Sequence, residues 1–271
     1  MAEMLVRDMK PVDEYYVGTC THVNESDEAD ACGRRRVAWL RTVYEDGARA
    51  KVALCDGQRV GFLYVMPIEV SPWGPLGRDL MVIPCLCVQV KGKDKGMGRA
   101  LIEAAEEEAG RQGKKGLVTT AYYHDFWFMP ASFFERVGFS KVRSRTVPAE
   151  GPNAFVGREA ILWKAFDPSA QPPEFLGAKY AFEPVPGKVV IDLFWNTFCQ
   201  TSNIEAQRVR EVAEEFGDSV VLREYAADEQ AILLRYQIPR AILVNGRKIG
   251  WGYEAPKEGI REAISAALRV L

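Results

Sequence analysis

Residues 81–109 constrain this chain more than any other stretch. An apolar run, 81–90, leads into a basic, glycine-rich turn, K-G-K-D-K-G-M-G at 91–98, and an amphipathic helix follows directly. Leu101, Ile102, Ala105 and Ala109 recur at the 3.6-residue spacing of one helical face. Strand, glycine turn and helix N-terminus, in that order, make an anion cradle. The first backbone N–H groups of a helix have no intrahelical partner and carry partial positive charge. Gly96 and Gly98 let the main chain approach an anion without a Cβ in the way. Lys91, Lys93 and Lys95 add charge around it. The turn fits neither the G-x-x-x-x-G-K-[ST] phosphate loop nor the G-x-G-x-x-G dinucleotide loop.

The rest of the chain arranges itself around that unit. Residues 13–22 read as a first strand, and Asn24 or Ser26 caps a helix whose inward face is Cys32, Val37, Leu40 and Tyr44. The triplet Arg34, Arg35 and Arg36 reads as its solvated side. Residues 50–55 and 59–68 flank Asp56-Gly57 and predict a hairpin. After the motif helix come a strand at 116–122, a short helix at 131–136, and strands at 141–146 and 160–165. The expected order is β-α-β-β-β-α-β-α-β-β. Five prolines within 167–187 predict an extended linker. Beyond it the pattern restarts with a buried-type strand at 188–195, a helix, a strand at 220–225, a strand opened by Pro239 that turns at Asn245-Gly246, and a helix over 255–268.

The run from Leu86-x-Val88 to Lys93-Asp94-Lys95-Gly96-Met97-Gly98 resembles the acyl-CoA motif [QR]-x-x-G-x-[GA] of the GNAT N-acetyltransferases. Lys93 stands where the family has Gln or Arg. The segment F-E-R-V-G-F, 134–139, resembles the family's Y-x-x-x-G-F segment, with Phe134 in place of a tyrosine that protonates the departing thiolate. The C-terminal portion resembles a thioredoxin fold, in which the proline at the Pro239 position is usually cis. The pairing of the two halves, with F-W-N-T-F-C-Q-T-S at 194–202, resembles the YoaP-like group of GNAT proteins. The fold class implied is α/β of the α+β type. A GNAT domain at 1–166 and a proline-rich linker at 167–187 precede a thioredoxin-like βαβαββα domain at 188–271.

The resemblance implies an acyltransferase that moves acetyl from acetyl-CoA, as co-substrate, to an amine by direct attack. The pyrophosphate is expected on the N–H groups of Lys93, Asp94, Lys95, Gly96, Met97, Gly98, Arg99 and Ala100. The thioester carbonyl is expected to accept from backbone near Cys87 or Val88. Glu69 is the first choice for the base, with Glu25, Asp27 and His22 as alternatives. Tyr123 and His124 lead the choice of acid, with Tyr122 and Ser132 behind them. In the second half, Cys199 begins a helix as Cys-Gln-Thr-Ser, so Ser202 replaces the second thiol of a C-x-x-C pair. The helix N-terminus is expected to lower the thiol's pKa. Cys199, Ser202 and Pro239 thus form a monothiol candidate, and the competing reading is an acyl-CoA-binding or redox-adaptor protein working through Cys199.

Composition narrows the partners. With 35 basic and 37 acidic residues, no basic field recruits nucleic acid or anionic membrane. No run of 18 apolar residues occurs, the first ten residues are charged throughout, and six scattered cysteines fit a reducing cytoplasm. Cys20 with His22, and Cys85 with Cys87, each share a face of an expected strand, but their spacing does not make a metal site. The expected partners are a small-molecule or protein amine, with a homodimer compatible.

Overall fold

The computed structural model describes residues 3–123, 128–147, 157–251 and 253–271. The chain starts with strand β1 (Met4–Asp8) and a 3-10 turn (Pro11–Asp13), then helices α1 (Glu14–Thr19) and α2 (Asp27–Val43). The strand expected at 13–22 is therefore a helix. Its Tyr-Tyr-Val sequence favours strand, but packing overrides that preference. Val17 is fully buried, and a Cβ built on Gly18 would lie 2.7 Å from the Gly33 carbonyl oxygen. Only glycine lets α1 lie that close to α2. Ser26 caps α2, its hydroxyl accepting from the Ala29 N–H at 3.1 Å.

Strands β2 (Arg49–Cys55) and β3 (Gln58–Pro67) form the expected hairpin. Asp56 and Gly57 both have positive φ, 49° and 74°, matching the strand twist at a two-residue turn. Next come β4 (Met81–Val88), α3 (Met97–Arg111), β5 (Gly116–Tyr123), α4 (Ala131–Arg136), β6 (Ser140–Val147) and β7 (Gly157–Ala165). The seven strands lie in the order β1-β2-β3-β4-β5-β7-β6, antiparallel except for the β4–β5 pair. Period-two alternation divides the core. Leu63, Val65, Met81 and Ile83 meet α3 on one face, while Phe62, Tyr64, Met66 and Val82 meet α1 and α2 on the other.

The second half comprises β8 (Val189–Trp195), α5 (Gln200–Glu215), β9 (Val220–Ala226), α6 (Gln230–Tyr236), β10 (Ala241–Val244), β11 (Arg247–Ile249) and α7 (Lys257–Leu268). Its sheet runs β11-β10-β8-β9, with β8 and β9 parallel and the other pairs antiparallel. Asn245 and Gly246 close the last hairpin with φ of 48° and 76°. No described peptide bond is cis, so the peptide before Pro239 is trans, unlike the bond expected there.

Residues 166–188 carry no helix or strand, yet they are tied to both halves. Leu76 bridges Glu174, Arg145 donates to the Leu176 carbonyl at 2.7 Å, and Lys179 N–H donates to the Tyr236 carbonyl at 2.8 Å. The halves also meet directly. Phe198 is buried between Trp39 and Tyr64, with ring centroids at 5.9 and 5.1 Å. Around it Gln200 donates to the Ala29 carbonyl at 2.7 Å, Arg35 to Asn203 at 3.1 Å, and Arg208 to Glu28 at 2.6 Å.

Candidate functional site

The motif strand is split from its neighbour. β4 pairs with β5 only at Met81 and Val82, although it stays on β3 as far as Val88. Two residues, Ile83 and Pro84, oppose the single Val65 in the β3 register, which makes a bulge where the separation begins. Pro84 has no N–H to offer β5. Past the bulge the N–H groups alternate in direction. Gln89 donates to Val60 on the β3 side at 2.8 Å, whereas Leu86 donates into the gap, to Met129 Sδ at 3.3 Å. Val88 N–H therefore faces the gap, and Cys87 N–H faces β3. Of the two residues expected at a thioester carbonyl, Val88 has the required direction.

The gap opens onto the glycine turn. A 3-10 turn (Val90–Gly92) precedes Asp94 at φ 58° and Gly96 at φ 79°. Gly96 is the N-cap of α3 and no side chain caps that helix. Lys93 N–H donates to Val90 at 3.2 Å and Ala100 N–H to Gly96 at 3.0 Å, so the expected cradle narrows from 93–100 to the N–H groups of 94–99. Met97, Gly98 and Arg99 have no intrahelical acceptor by virtue of position. A Cβ on Gly98 would meet the Phe133 ring at 3.0 Å, so Phe133 covers the start of the helix. Beside the turn, Lys91 and Lys95 line a cavity of about 240 Å³ with Cys55, Asp56, Gln58 and Val60.

The proposed acid–base residues fare differently. Glu69 follows Pro67, which pairs with Met81 at the closed end of the gap, roughly 20 Å from Val88 at the rise of a strand. It accepts from Asp79 N–H at 2.7 Å and from Lys114 at 3.3 Å, a surface tie rather than a base facing the gap. Tyr123 donates to Glu135 at 2.5 Å on the outer surface, and burial with that carboxylate pushes its phenol up to about 12. His124 lies outside the described residues. Tyr122 turns to the opposite face of β5. Burial, then Glu159, raises its phenol, and Cys199 and Arg240 are in electrostatic reach. Phe134 is fully buried against Phe133 and Phe139.

His22 is held between two carboxylates, Glu254 at 3.0 Å from Nε2 and Glu25 at 2.7 Å from Nδ1. The hydrogen bond to Glu254, opposed by burial and aided by both charges, raises it to about 9. It is charged near neutral pH and is not a base.

Cys199, Ser202 and Pro239 do converge, on the buried Asn196. Asn196 accepts from Cys199 N–H at 2.7 Å, donates from its side chain to the Pro239 carbonyl at 2.8 Å, and donates its N–H to Ser202 at 3.0 Å. The Cys199 thiol is raised by burial, although a helix N-terminus is expected to lower it. It faces the first half, in one cluster with Cys20, Cys85, Cys87, Tyr64 and Phe198. Within that cluster Arg36 is 1% exposed, not solvated as the triplet suggested. Its guanidinium lies 4.5 Å from the Tyr64 ring and 5.0 Å from the Phe198 ring. Sequence reasoning missed this crevice because its thiols come from three distant segments. Among the described residues, no group of three or more His, Cys, Asp or Glu is arranged to hold a metal ion. No described helix is long and apolar enough to cross a membrane.

No family model and no curated protein matches the chain. Solved structures do. A ribosomal-protein-alanine N-acetyltransferase from Brucella melitensis is 19% identical, with a TM-score of 0.46 over 59% of this chain and 99% of that one. An N-acetyltransferase from Staphylococcus aureus Mu50 is 16% identical, with a TM-score of 0.45 over 61% and 99%. A GNAT-family acetyltransferase from Brucella melitensis in complex with acetyl-CoA is 18% identical, with a TM-score of 0.39 over 64% and 93%.

Proposed function

We propose that the chain is an N-acetyltransferase of the GNAT type, taking acetyl from acetyl-CoA to an amine. The observation that carries this reading is the gap between β4 and β5, which opens beyond the bulge at residues 83–84 directly onto the uncapped N-terminus of α3. A linear thioester can thread such a gap. Its pyrophosphate lies on the N–H groups of residues 94–99, and the inward N–H of Val88 polarises its carbonyl. The amine then approaches from the crevice face. Its nitrogen bonds to the carbonyl carbon, the carbon–sulfur bond breaks, the departing thiolate takes a proton from the protein, and the proton shed by the acylated nitrogen replaces it. Tyr122, which keeps its proton well above neutral pH and faces the crevice, is the donor we assign in place of Tyr123.

In this reading residues 1–166 form the transferase part and 188–271 a thioredoxin-like part, with 167–187 tying them. The thioredoxin-like half walls the acceptor crevice and performs no dithiol chemistry, since Ser202 stands in the second thiol position. Six free cysteines suit a reducing cytoplasm. Incubation with acetyl-CoA and a panel of small amines and lysine peptides, read by mass spectrometry, tests the assignment. A product heavier by one acetyl group is expected with at least one amine class. Binding of acetyl-CoA with no product from any class would reduce the protein to a binder.

A further inference from the structure

The second sheet has one face that α5 and α7 leave uncovered. Val189, Ile191 and Leu193 of β8 pack with those helices, so Asp192 and Phe194 point to the other side. There Phe194 stacks on Tyr225 with ring centroids 4.5 Å apart, Tyr236 meets both rings, and Tyr180 crosses over Phe194 from the linker. Beside these tyrosines lies a cavity of about 360 Å³, larger than the one next to the glycine turn and of the size that takes a small molecule.

Asp192 lines the cavity and is only 1% exposed. Its carboxylate accepts from the Tyr180 hydroxyl at 2.6 Å and from the Tyr225 hydroxyl at 3.1 Å, with Arg223 at 3.9 Å. Burial, then Asp192, pushes both phenols up, Tyr225 to about 12, so each keeps the proton it donates. The buried charge is thus committed to holding two rings and one guanidinium in place, and Arg223 is fixed again by donating to the Glu183 carbonyl at 2.9 Å. Lys179 and Arg235 complete the lining, and among the described residues neither pairs with a carboxylate. The Arg235 guanidinium lies 5.1 Å from the Tyr236 ring centroid. Three cations therefore face the cavity against Asp192 and Glu183, and that excess opposes an ammonium ligand even where tyrosine rings would otherwise attract one. The same excess favours an anion.

We propose that this cavity binds a small aromatic anion, its ring against the tyrosines and its carboxylate or phosphate on Lys179 and Arg235. Tyrosine rings offer a flat ligand stacking and edge contacts. The guanidinium supplies paired N–H donors to a carboxylate or phosphate, and the ammonium adds charge. The site lies in the second half, away from the β4–β5 gap, so its occupancy is read without acetyl-CoA.

The test is calorimetric titration of four probes into the full chain at pH 7. 4-Hydroxyphenylacetate and phenyl phosphate carry a ring and an anion, tyramine carries the ring with an ammonium, and cyclohexylacetate carries the anion without an aromatic ring. At least one of the first two is expected to bind with a dissociation constant of about 1 mM or below, and tyramine and cyclohexylacetate at least about tenfold more weakly. Whichever of the first two binds more tightly assigns the anion as carboxylate or phosphate. Arg235 and Lys179 are exposed, so Arg235→Gln and Lys179→Gln leave the packed core alone, and each is expected to weaken the better probe about tenfold. That loss also separates this cavity from the glycine turn, where a phosphate would be indifferent to both variants. No binding of either aromatic anion, equal binding of tyramine or cyclohexylacetate, or an affinity unchanged in both variants would overturn the proposal.

Discussion

Tyr122 and Tyr123 are adjacent and chemically identical, yet a strand sends them to opposite faces. Tyr123 reaches Glu135 on the outside, while Tyr122 turns toward Cys199 and Arg240. Tyr122→Phe is expected to lower turnover by about 10²-fold or more, the usual contribution of a positioned acid, and Tyr123→Phe to leave it within about twofold of wild type by the same standard. Equal effects in a steady-state assay would remove Tyr122 from its role. His22 carries a pH dependence. Its folded pKa, about 9, lies above the ordinary imidazole value, so the stabilisation is fully present below pH 6.5 and is lost as pH rises through 9. Glu25 is largely exposed and water screens that side, so about 1–2 kcal/mol is expected, less than the shift alone implies. Denaturant midpoints between pH 6 and 10 should fall for wild type and stay flatter for His22→Gln. Arg36 shows why this scale is only partly legible in the sequence. Cys32, Arg36 and Leu40 recur every four residues on the buried face of α2, so the period is present. A hydrophobicity reading skips an arginine, and the Tyr64 and Phe198 rings that hold its guanidinium come from other segments.

Elements with strong local punctuation match their sequence signals. Asp56-Gly57 and Asn245-Gly246 both turn hairpins, Ser26 caps α2, and the glycine turn starts α3. The departure at residues 13–22 has a clear cause: whether Tyr-Tyr-Val becomes strand or helix depends on what it packs against, and Gly33 lies 15 residues beyond Gly18. Gly18→Ala tests that contact. The new methyl would sit 2.7 Å from both the Gly33 oxygen and Val37 Cγ2, so a loss of about 1–3 kcal/mol is expected from overpacking. Unchanged stability would mean that α1 is free to lift from α2. The bulge at 83–84 has no such local signal. Pro84 shows that an N–H is absent, but only the register of three strands shows which neighbour loses it.

At the scale of the whole molecule, a proline-rich stretch suggests two domains on a spacer, and the structure instead clasps them. Phe198 leaves the second half to fill the core of the first, and buried Gln200 and Asn203 bond to the backbone of α2. Such tertiary contacts have no local sequence signal. Phe198→Ala is expected to cost about 3–5 kcal/mol and to split one cooperative unfolding transition into two. A single unshifted transition would argue that the halves do not depend on one another. The same clasp lines one side of the gap, so in the proposed reaction the donor site lies in one half and the crevice is shared by both. Whether an acyl-CoA threads the gap onto the start of α3 is read by calorimetric titration of acetyl-CoA into wild type and Gly96→Val. Gly96 holds φ 79°, and a Cβ added there would have nothing within 4 Å, so valine strains the turn without filling a core. Stoichiometric binding by wild type, weakened at least about tenfold in Gly96→Val, is expected; no binding by wild type, or equal affinity in both, would mean that no acyl-CoA lies on the start of α3.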